Sequence, residues 1–271
     1  MVNLSRSTKR RVRITTIAAG LFILLTAVMV GLLFQPLRSS NSSRPAAYPA
    51  SEYEYSRIKA SNGFQLHVLK SDPSNITLEL PRQNVTLSDY YGINGGFFYN
   101  QSLLSMAIVN GIPIGGAEGQ YGAGSENVKY RRGTLVWDGA ANTLSVQIVS
   151  ALSELKVSDP HHFWAQGGIS MSVGQDALWK SIAIQQNVPY PDDNHLRSAI
   201  VYDHSGAIYL VVSSTEGKLD DFRSAILETV GGGRLADGIF LDGDGSSQMQ
   251  AAEIGLNGDN RPVVQMIRIV R

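Results

Sequence analysis

The chain of 271 residues contains no cysteine. This absence excludes disulfide bonds, thiolate catalysis and zinc sites with cysteine ligands, so the folded state depends on its hydrophobic core. The chain also has no excess of positive or negative charge, because 23 basic residues balance 23 acidic ones. Five of the 23 basic residues precede position 14 and every acidic residue lies beyond position 34, so that later part has net charge −5. This charge argues against a nucleic-acid partner.

Several common catalytic motifs are also missing. The chain contains neither a Gly-x-Ser-x-Gly elbow nor a phosphate-binding Walker loop. No motif therefore supports a serine hydrolase or a nucleotide-binding protein. His161 and His162 are adjacent without a His-x-x-x-His spacing, and neighbouring residues of a strand point to opposite faces, so a zinc site is not predicted.

A long uncharged run stands near the N-terminus. Residues 14–34 are mostly Leu, Ile, Val, Ala and Phe, and at about 1.5 Å per residue a helix of this length spans a bilayer. Basic residues crowd the preceding segment, so the positive-inside rule places residues 1–13 in the cytoplasm. We therefore predict a cytoplasmic basic tail (1–13), a transmembrane anchor (14–34) and an extracytoplasmic remainder. A cleaved signal peptide is the alternative, although no small-x-small site follows the run.

The remainder divides by composition and periodicity. Residues 35–60 are rich in Ser, Asn, Pro and Ala and are predicted to form a linker, which leaves 61–271 as the folded domain. Alternating apolar residues predict many strands there, including one hairpin over 135–149 and another over 199–212. Apolar spacings of three and four predict a helix over 219–230 that ends at a run of three glycines. The fold class is α+β, a strand-rich mixed sheet.

The segment from Leu241 to Met249 follows a predicted strand and carries unusual chemistry. It contains two carboxylates, two glycines and two hydroxyls: Asp242, Asp244, Gly243, Gly245, Ser246 and Ser247. The glycines are expected to adopt positive φ and turn successive amide N–H groups toward an anion. The serines are expected to add hydroxyl donors or to cap a following helical turn. A plain turn between strands and an Asp-x-Asp calcium loop are the alternatives.

Two further segments have the same design, an amide side chain followed by two glycines. They are Asn94-Gly95-Gly96 and Gln166-Gly167-Gly168. Arg197 precedes an apolar strand and offers a forked cation that suits a phosphate. His195 is an outside candidate for proton transfer. An ordinary turn or a solvated strand end is the alternative for each. A loop over 111–124 with six glycines is expected either to border the site or to lie freely on the surface.

Taken in order, these segments resemble the signatures of the phosphodiester glycosidase family from about Tyr90 to the C-terminus. The matching segments are Asn94–Phe98, Gln166–Gly168, Arg197–Ala199, Leu241–Ser247 and Arg261–Val263. The resemblance implies strand-end loops that converge on one pocket and cleavage of the bond between an anomeric carbon and a phosphodiester. Two departures stand out: Asp244 replaces a family glycine, and Ser213-Ser214-Thr215 replaces an expected Asp-Gly pair.

The resemblance also implies a set of roles. Asp242 is the catalytic carboxylate, as nucleophile or general base, with Asn94 and Arg197 in the same site. Phosphate or sugar is bound by the remaining group: Gly95, Gly96, Gln166, Gly167, Gly168, Gly243, Asp244, Ser246 and Ser247. The general acid is unassigned, and Asp242 with Asp244 leaves open a divalent cation, calcium or magnesium. The expected partners are a glycan or glycosyl-phosphate substrate and a membrane. The alternative is a surface protein that binds an envelope polymer without catalysis.

Overall fold

The computed structural model describes residues 52–270. The predicted cytoplasmic tail and anchor, with most of the predicted linker, lie outside the described residues. Within 52–270 no helix is long and apolar enough to cross a membrane.

The described part of the chain is rich in strands and contains few helices, as the sequence predicts. The two α-helices are α1 (Trp179–Gln185) and α2 (Leu219–Thr229). Short 3-10 turns cover Pro73–Asn75, Val85–Leu87, Leu152–Glu154, Gly231–Gly233 and Asp244–Ser246. The strands are β1 Glu54–Lys59, β2 Gln65–Ser71, β3 Ile76–Glu79, β4 Gly92–Asn94, β5 Phe98–Tyr99, β6 Ser102–Leu103, β7 Ala107–Val109, β8 Ile112–Pro113, β9 Arg132–Asp138, β10 Thr143–Val149, β11 Phe163–Gly167, β12 Ile169–Ser170, β13 Ser198–Asp203, β14 Ile208–Ser213, β15 Leu235–Phe240, β16 Met249–Gln250, β17 Gly255–Leu256 and β18 Met266–Ile269.

The strands of residues 52–270 form three larger sheets and one small ribbon. The first sheet has six strands in the order β1-β2-β14-β13-β15-β12. The others run β10-β9-β11-β7-β8 and β17-β16-β4-β18-β3, and β5 pairs with β6. All of these pairings are antiparallel, so consecutive strands are joined by short turns where they are neighbours.

The six-stranded sheet forms the middle of the described fold because both of its faces are apolar. Val201 and Val211 face α2, where Phe222 and Ile226 pack on them. On the other face, residues such as Ile200 join a second cluster with the remaining two large sheets. The near-continuous apolar runs of β13 and β14 follow from this double burial.

The sequence predicts both hairpins and the long helix correctly. Strands β9–β10 and β13–β14 are paired hairpins, and α2 ends before Gly231–Gly233. The folded part, however, begins earlier than residue 61. Strand β1 lies inside the predicted linker and pairs with β2 along its whole length. As an edge strand it is mostly exposed, and for this reason its composition looks like that of a linker.

Candidate active site

One pocket of about 200 Å³ opens in the six-stranded sheet where strand β13 begins and strand β15 ends. Strand β13 begins where its antiparallel neighbour β15 ends, with Ala199 opposite Phe240. Arg197, just before β13, and Asp242, just after β15, therefore lie at the same end of the two strands, and both line the pocket. The predicted convergence of strand-end loops holds for these two segments.

The pocket has an apolar floor and a charged rim. The apolar lining includes Phe97, Ile169, Val188, Leu219 and Phe240. The polar lining includes Tyr190, His195, Arg197, Asp242, Asp244 and Arg261. A molecule bound here would contact hydrocarbon on one side and groups able to hydrogen bond on the other, which is the usual character of a small-ligand site.

Asp242 is the carboxylate with the most perturbed environment in this pocket. Burial raises its pKa to about 6, while the Ser246 hydroxyl, the Gly243 amide and the Arg261 guanidinium each favour the charged form. The nearby Asp244 raises the pKa further. A carboxyl group that titrates near neutrality at the mouth of a pocket is suited to proton transfer or nucleophilic attack.

The turn after Asp242 does not have the predicted conformation. Gly243 is extended (φ −115°), and the residue with positive φ is Asp244 (φ 55°) rather than either glycine. The amides of residues 242, 244, 246 and 247 already donate to backbone carbonyls, so the predicted row of free N–H groups is not formed. The segment then enters strand β16, which replaces the helical turn considered from the sequence.

Asn94 lies behind the pocket and not in its wall. Its side-chain amide donates to the carbonyl oxygen of Asp242 (2.8 Å). Its oxygen accepts from the hydroxyl of Ser198 (2.8 Å) and from the backbone amide of Gln248 (3.1 Å). These hydrogen bonds join the segments that carry the site, and Asn94 does not line the pocket, so its predicted place among the catalytic residues stays a prediction.

The first glycine pair, Gly95 and Gly96, is closely packed, and both amides have partners within the protein. The amides of Gly95 and Gly96 both donate to Gln265, one to its backbone carbonyl and one to its side chain (2.9 Å each). A Cβ at either glycine would collide with the side chains of Gln265 or Ser105. Because these N–H groups are occupied, they are not available to a phosphate, contrary to the expectation from the sequence.

The Gln166 segment is buried in the same way. The Gln166 side chain is fully buried, accepts a hydrogen bond from Gln265 and donates to the carbonyl of Gly167. The amides of Gly167 and Gly168 donate to Met106 and Gly133 (2.7 and 2.8 Å). None of these residues lines the pocket, so their predicted contact with substrate is not found in the structure.

Arg197 holds a loop over the pocket. Its Nη2 atom donates to the carbonyls of Tyr190 and Asp193 (2.8 Å each), and its Nε atom donates to Gly217 (3.2 Å). Residues 187–196, here called the cover loop, are thereby fastened across the mouth. Within residues 52–270, Nη1 of Arg197 has no hydrogen-bond partner. This nitrogen of the guanidinium is therefore available to a ligand.

The departure at residues 213–215 is part of the same support. The hydroxyl of Ser213 accepts from the backbone amide of Arg197 (2.9 Å), while the Ser213 amide donates to the Arg197 carbonyl (2.9 Å). Ser214 contacts the ring of His67 (3.1 Å). These hydroxyls fix the start of β13 and lie outside the pocket lining.

A chain of charges runs along the rim. His195 Nδ1 lies 3.2 Å from Asp244 Oδ1, and Arg261 lies 3.6 Å from the other oxygen of that carboxylate. Arg261 is itself paired with Asp259 through both carboxylate oxygens (2.9 and 2.8 Å). Asp244 is thus engaged by the His195 ring and by Arg261. Residues 52–270 contain no group of three or more side chains arranged to hold a metal ion.

Two buried polar atoms near the site take no hydrogen bond within the described residues. They are the hydroxyl of Ser247, a residue that is 1% exposed, and Nε2 of His195, whereas the Ser246 hydroxyl faces the Asp242 carboxylate. Buried polar atoms without a partner are uncommon and indicate a place where water or a ligand completes the set. Ser246 and Ser247 do not line the pocket, and their contact with substrate stays a prediction.

Sequence patterns alone do not identify Tyr190 and Arg261 as residues that line the pocket. Tyr190 reaches the pocket from a loop without regular structure, and no local pattern announces it. Arg261 appears in the sequence only as the first residue of the Arg261–Val263 signature and lies opposite Asp244 across the chain fold. Its adjacency to Asp259 is the one signal that it belongs to a charged cluster.

Comparison with known proteins shows a distant structural relationship. No family model matches the chain, and no curated protein sequence matches it. The zebrafish N-acetylglucosamine-1-phosphodiester alpha-N-acetylglucosaminidase catalytic domain has a similar fold, with 16% identity and a TM-score of 0.56 over 82% of this chain and 83% of that one.

Two further solved structures are similar to smaller extents. A hypothetical protein from Synechocystis is 14% identical with a TM-score of 0.39, covering 80% of this chain and 61% of that one. A putative exported protein from Burkholderia pseudomallei is 15% identical with a TM-score of 0.46, covering 77% of this chain and 74% of that one. The likeness to the zebrafish catalytic domain, at 16% identity, establishes a shared fold only.

Proposed function

We propose that the chain is a hydrolase that cleaves a glycosyl phosphodiester, with the pocket at Asp242 as its active site. The observation that carries the proposal is the carboxyl of Asp242, which lines the pocket together with Arg197 and Arg261 and whose pKa burial raises to about 6. The fold likeness to a phosphodiester glycosidase catalytic domain supports the same reaction class. The substrate is proposed to be a sugar 1-phosphate diester on a surface glycan or envelope polymer.

In this proposal Asp242 acts at the anomeric carbon, as nucleophile or as base for the attacking water. Nη1 of Arg197 and the Arg261 guanidinium stabilise the phosphate as it departs. The apolar floor receives the hydrocarbon face of the sugar. Asn94 is a positioning residue, because it holds the backbone of Asp242 without reaching the pocket.

The first experiment identifies which bond breaks. The full chain, purified in detergent, is incubated with N-acetylglucosamine 1-(methyl phosphate) in ¹⁸O-water and followed by phosphorus NMR. Cleavage at the anomeric carbon gives unlabelled methyl phosphate and puts ¹⁸O on the sugar, whereas attack at phosphorus labels the phosphate. Parallel reactions with calcium, magnesium and EDTA determine whether a cation is required.

The second experiment tests Asp242. We expect Asp242→Asn to lower kcat/KM by about a thousandfold or more, because the amide can neither attack nor accept a proton. The matched control is Asp221→Asn, an exposed carboxylate on α2, which should retain wild-type activity. Activity of Asp242→Asn within about threefold of wild type would show that the catalytic role belongs elsewhere.

The binding alternative rests on one observation, the engagement of Asn94, Gln166 and both glycine pairs in internal hydrogen bonds. If these residues serve only the fold, the pocket retains few groups for catalysis. A polymer-binding protein would bind intact diester and cleaved product equally, without turnover under any cation. That outcome in calorimetry would replace the hydrolase proposal.

We also propose that residues 14–34 anchor the chain with its N-terminus in the cytoplasm, on the strength of their hydropathy and the preceding basic residues. This arrangement would present the pocket to extracytoplasmic polymers. Protease protection of tags at the two termini in spheroplasts tests it: an inside-facing N-terminus must resist digestion while the domain is cleaved.

A further inference from the structure

We infer that His195 is the proton donor for the departing phosphate and that Asp244 orients it. This inference rests on the proposed hydrolase function and assigns the general acid that the sequence left open. It is carried by the geometry of one side chain that lines the active-site pocket, in which Nδ1 is engaged by Asp244 and Nε2 has no hydrogen-bond partner within residues 52–270.

The backbone of His195 is fastened on both sides. Its amide donates to the carbonyl of Gly217 (3.2 Å) and its carbonyl accepts from the amide of that residue (3.0 Å). The ring lies beside Tyr190, with centroids 5.6 Å apart. The imidazole is therefore held at the pocket mouth by the cover loop and by the segment before α2.

Asp244 fixes the orientation of the ring. Its Oδ1 lies 3.2 Å from Nδ1 of His195, while Arg261 contacts its second oxygen. The backbone at Asp244 has φ 55°, and its amide donates to Leu196, the neighbour of His195 (2.7 Å). The left-handed turn thus brings the carboxylate to the ring, at a conformational cost that a non-glycine residue bears only when the surroundings require it.

Nε2 is the remaining nitrogen. It is buried, has no partner among residues 52–270, and belongs to a side chain that lines the pocket. A carboxylate on Nδ1 selects the tautomer in which Nδ1 carries the proton of the neutral ring, and it stabilises the imidazolium. Nε2 is then the position from which a proton is given to a molecule in the pocket.

The reaction balances around this proton. The bond between the anomeric carbon and oxygen breaks, its electron pair leaves with the phosphate, and the Nε2 proton passes to a phosphate oxygen. Where Asp242 is the base, water places its hydroxyl on the anomeric carbon and its other proton on Asp242, which releases it to solvent while the imidazole regains a proton from solvent. Where Asp242 is the nucleophile, water displaces Asp242 from the anomeric carbon and its other proton passes to Nε2, which restores the imidazolium. The transfer offsets the second negative charge that the phosphate monoester acquires close to Asp242 and Asp244.

Of the charged or titratable side chains near the His195 ring, Asp244 lies 3.2 Å from Nδ1 and Tyr190 lies beside the ring, while Arg197, Asp242 and Arg261 line the same pocket. The variants below change only His195 or its carboxylate partner, so the other groups are constant.

The test is the pH profile of kcat/KM for the full chain with the sugar 1-(methyl phosphate). We expect the kcat/KM of wild type to fall at alkaline pH, where a general acid no longer carries its proton. His195→Gln should lower kcat about a hundredfold or more and remove this alkaline limb. Asp244→Asn keeps a hydrogen-bond acceptor but loses the charge, so it should move the alkaline limb to lower pH with a loss under about tenfold.

If His195 has only a structural role, His195→Gln will lower activity without changing the shape of the pH profile of kcat/KM on its acid or alkaline side. That result would overturn the inference. An alkaline limb that persists in His195→Gln would do the same. The inference also has a readout without catalysis, which separates it from the proposed function: ¹⁵N NMR of the imidazole. We expect the Nδ1-protonated tautomer in wild type and a shift toward the Nε2-protonated form in Asp244→Asn, and an unchanged tautomer would refute the orienting role even if no substrate is turned over.

Discussion

At the scale of the residue, the charged form of Asp242 that the proposed reaction requires lowers the stability of the folded protein. Burial raises its pKa, so the folded state binds a proton more tightly at this site than the unfolded chain does. Stability from Asp242 is therefore present below its ordinary pKa near 4 and is lost as the pH rises through about 6. At neutral pH the charged carboxylate destabilises the fold.

Because the charged carboxylate of Asp242 destabilises the fold at neutral pH, a variant without this charge is predicted to be more stable. Asp242→Asn should raise the free energy of unfolding at pH 7 by up to about 3 kcal/mol, and the gain should disappear toward pH 4. Urea unfolding at several pH values measures it. Asp259→Asn is the matched control of opposite sign, because the Arg261 guanidinium lowers the pKa of Asp259 and its removal should cost stability at neutral pH. Equal behaviour of the two variants would contradict the assignment of buried charge to Asp242.

Single residues also mark the limit of sequence reasoning. Asp242 and Arg197 are identified because a charged residue at one end of an apolar strand is visible in the local sequence. The roles of Gly95 and Asn94 are not, since their partners Gln265 and Gln248 lie more than 150 positions away in the chain. A glycine that permits close packing and a glycine that exposes an amide leave the same sequence pattern.

At the scale of the element, the cover loop depends on one arginine. Arg197→Lys replaces a rigid fork with a single ammonium that cannot reach Tyr190, Asp193 and Gly217 together. We expect amide exchange over 187–196 to accelerate and KM to rise more than kcat falls. Hydrogen-exchange mass spectrometry measures the first effect.

A control lies on the same loop. Lys180 and Asp192 form an exposed ion pair (2.7 Å), and exposed pairs contribute little. Asp192→Asn should therefore leave exchange over the cover loop unchanged. If it loosens the loop as much as Arg197→Lys does, the fastening role of Arg197 is wrong.

Elements with strong periodicity were the predictable part of the fold. Helix α2 and both hairpins follow from local apolar spacing and glycine turns. Edge strand β1 looks like a linker in sequence because four of its six residues are exposed, and the segment after Ser247 forms a strand because β4 pairs with it. Tertiary pairing decides such short elements.

At the scale of the whole molecule, the six-stranded sheet is expected to dominate stability. Ile200 is fully buried on the face that meets the other two large sheets. Ile200→Ala should lower the free energy of unfolding by about 2–5 kcal/mol, as large-to-small core changes do. Ile148→Ala, on the exposed side of β10 with 43% of the residue accessible, should cost under about 1 kcal/mol. Chemical denaturation compares them, and similar losses would mean that the central sheet is not the main source of stability.

The three contacts of Asn94 have a consequence for how this protein matures. They join strand β4 to segments that are made about 100 and 150 residues later, so the Asp242 backbone cannot be fixed until most of the domain has been synthesised and docked. Contacts of such long range form slowly, because loop closure must precede them. During refolding, recovery of enzymatic activity should consequently lag behind recovery of the circular dichroism signal, and a chain truncated before residue 242 should acquire strands without ever acquiring a pocket.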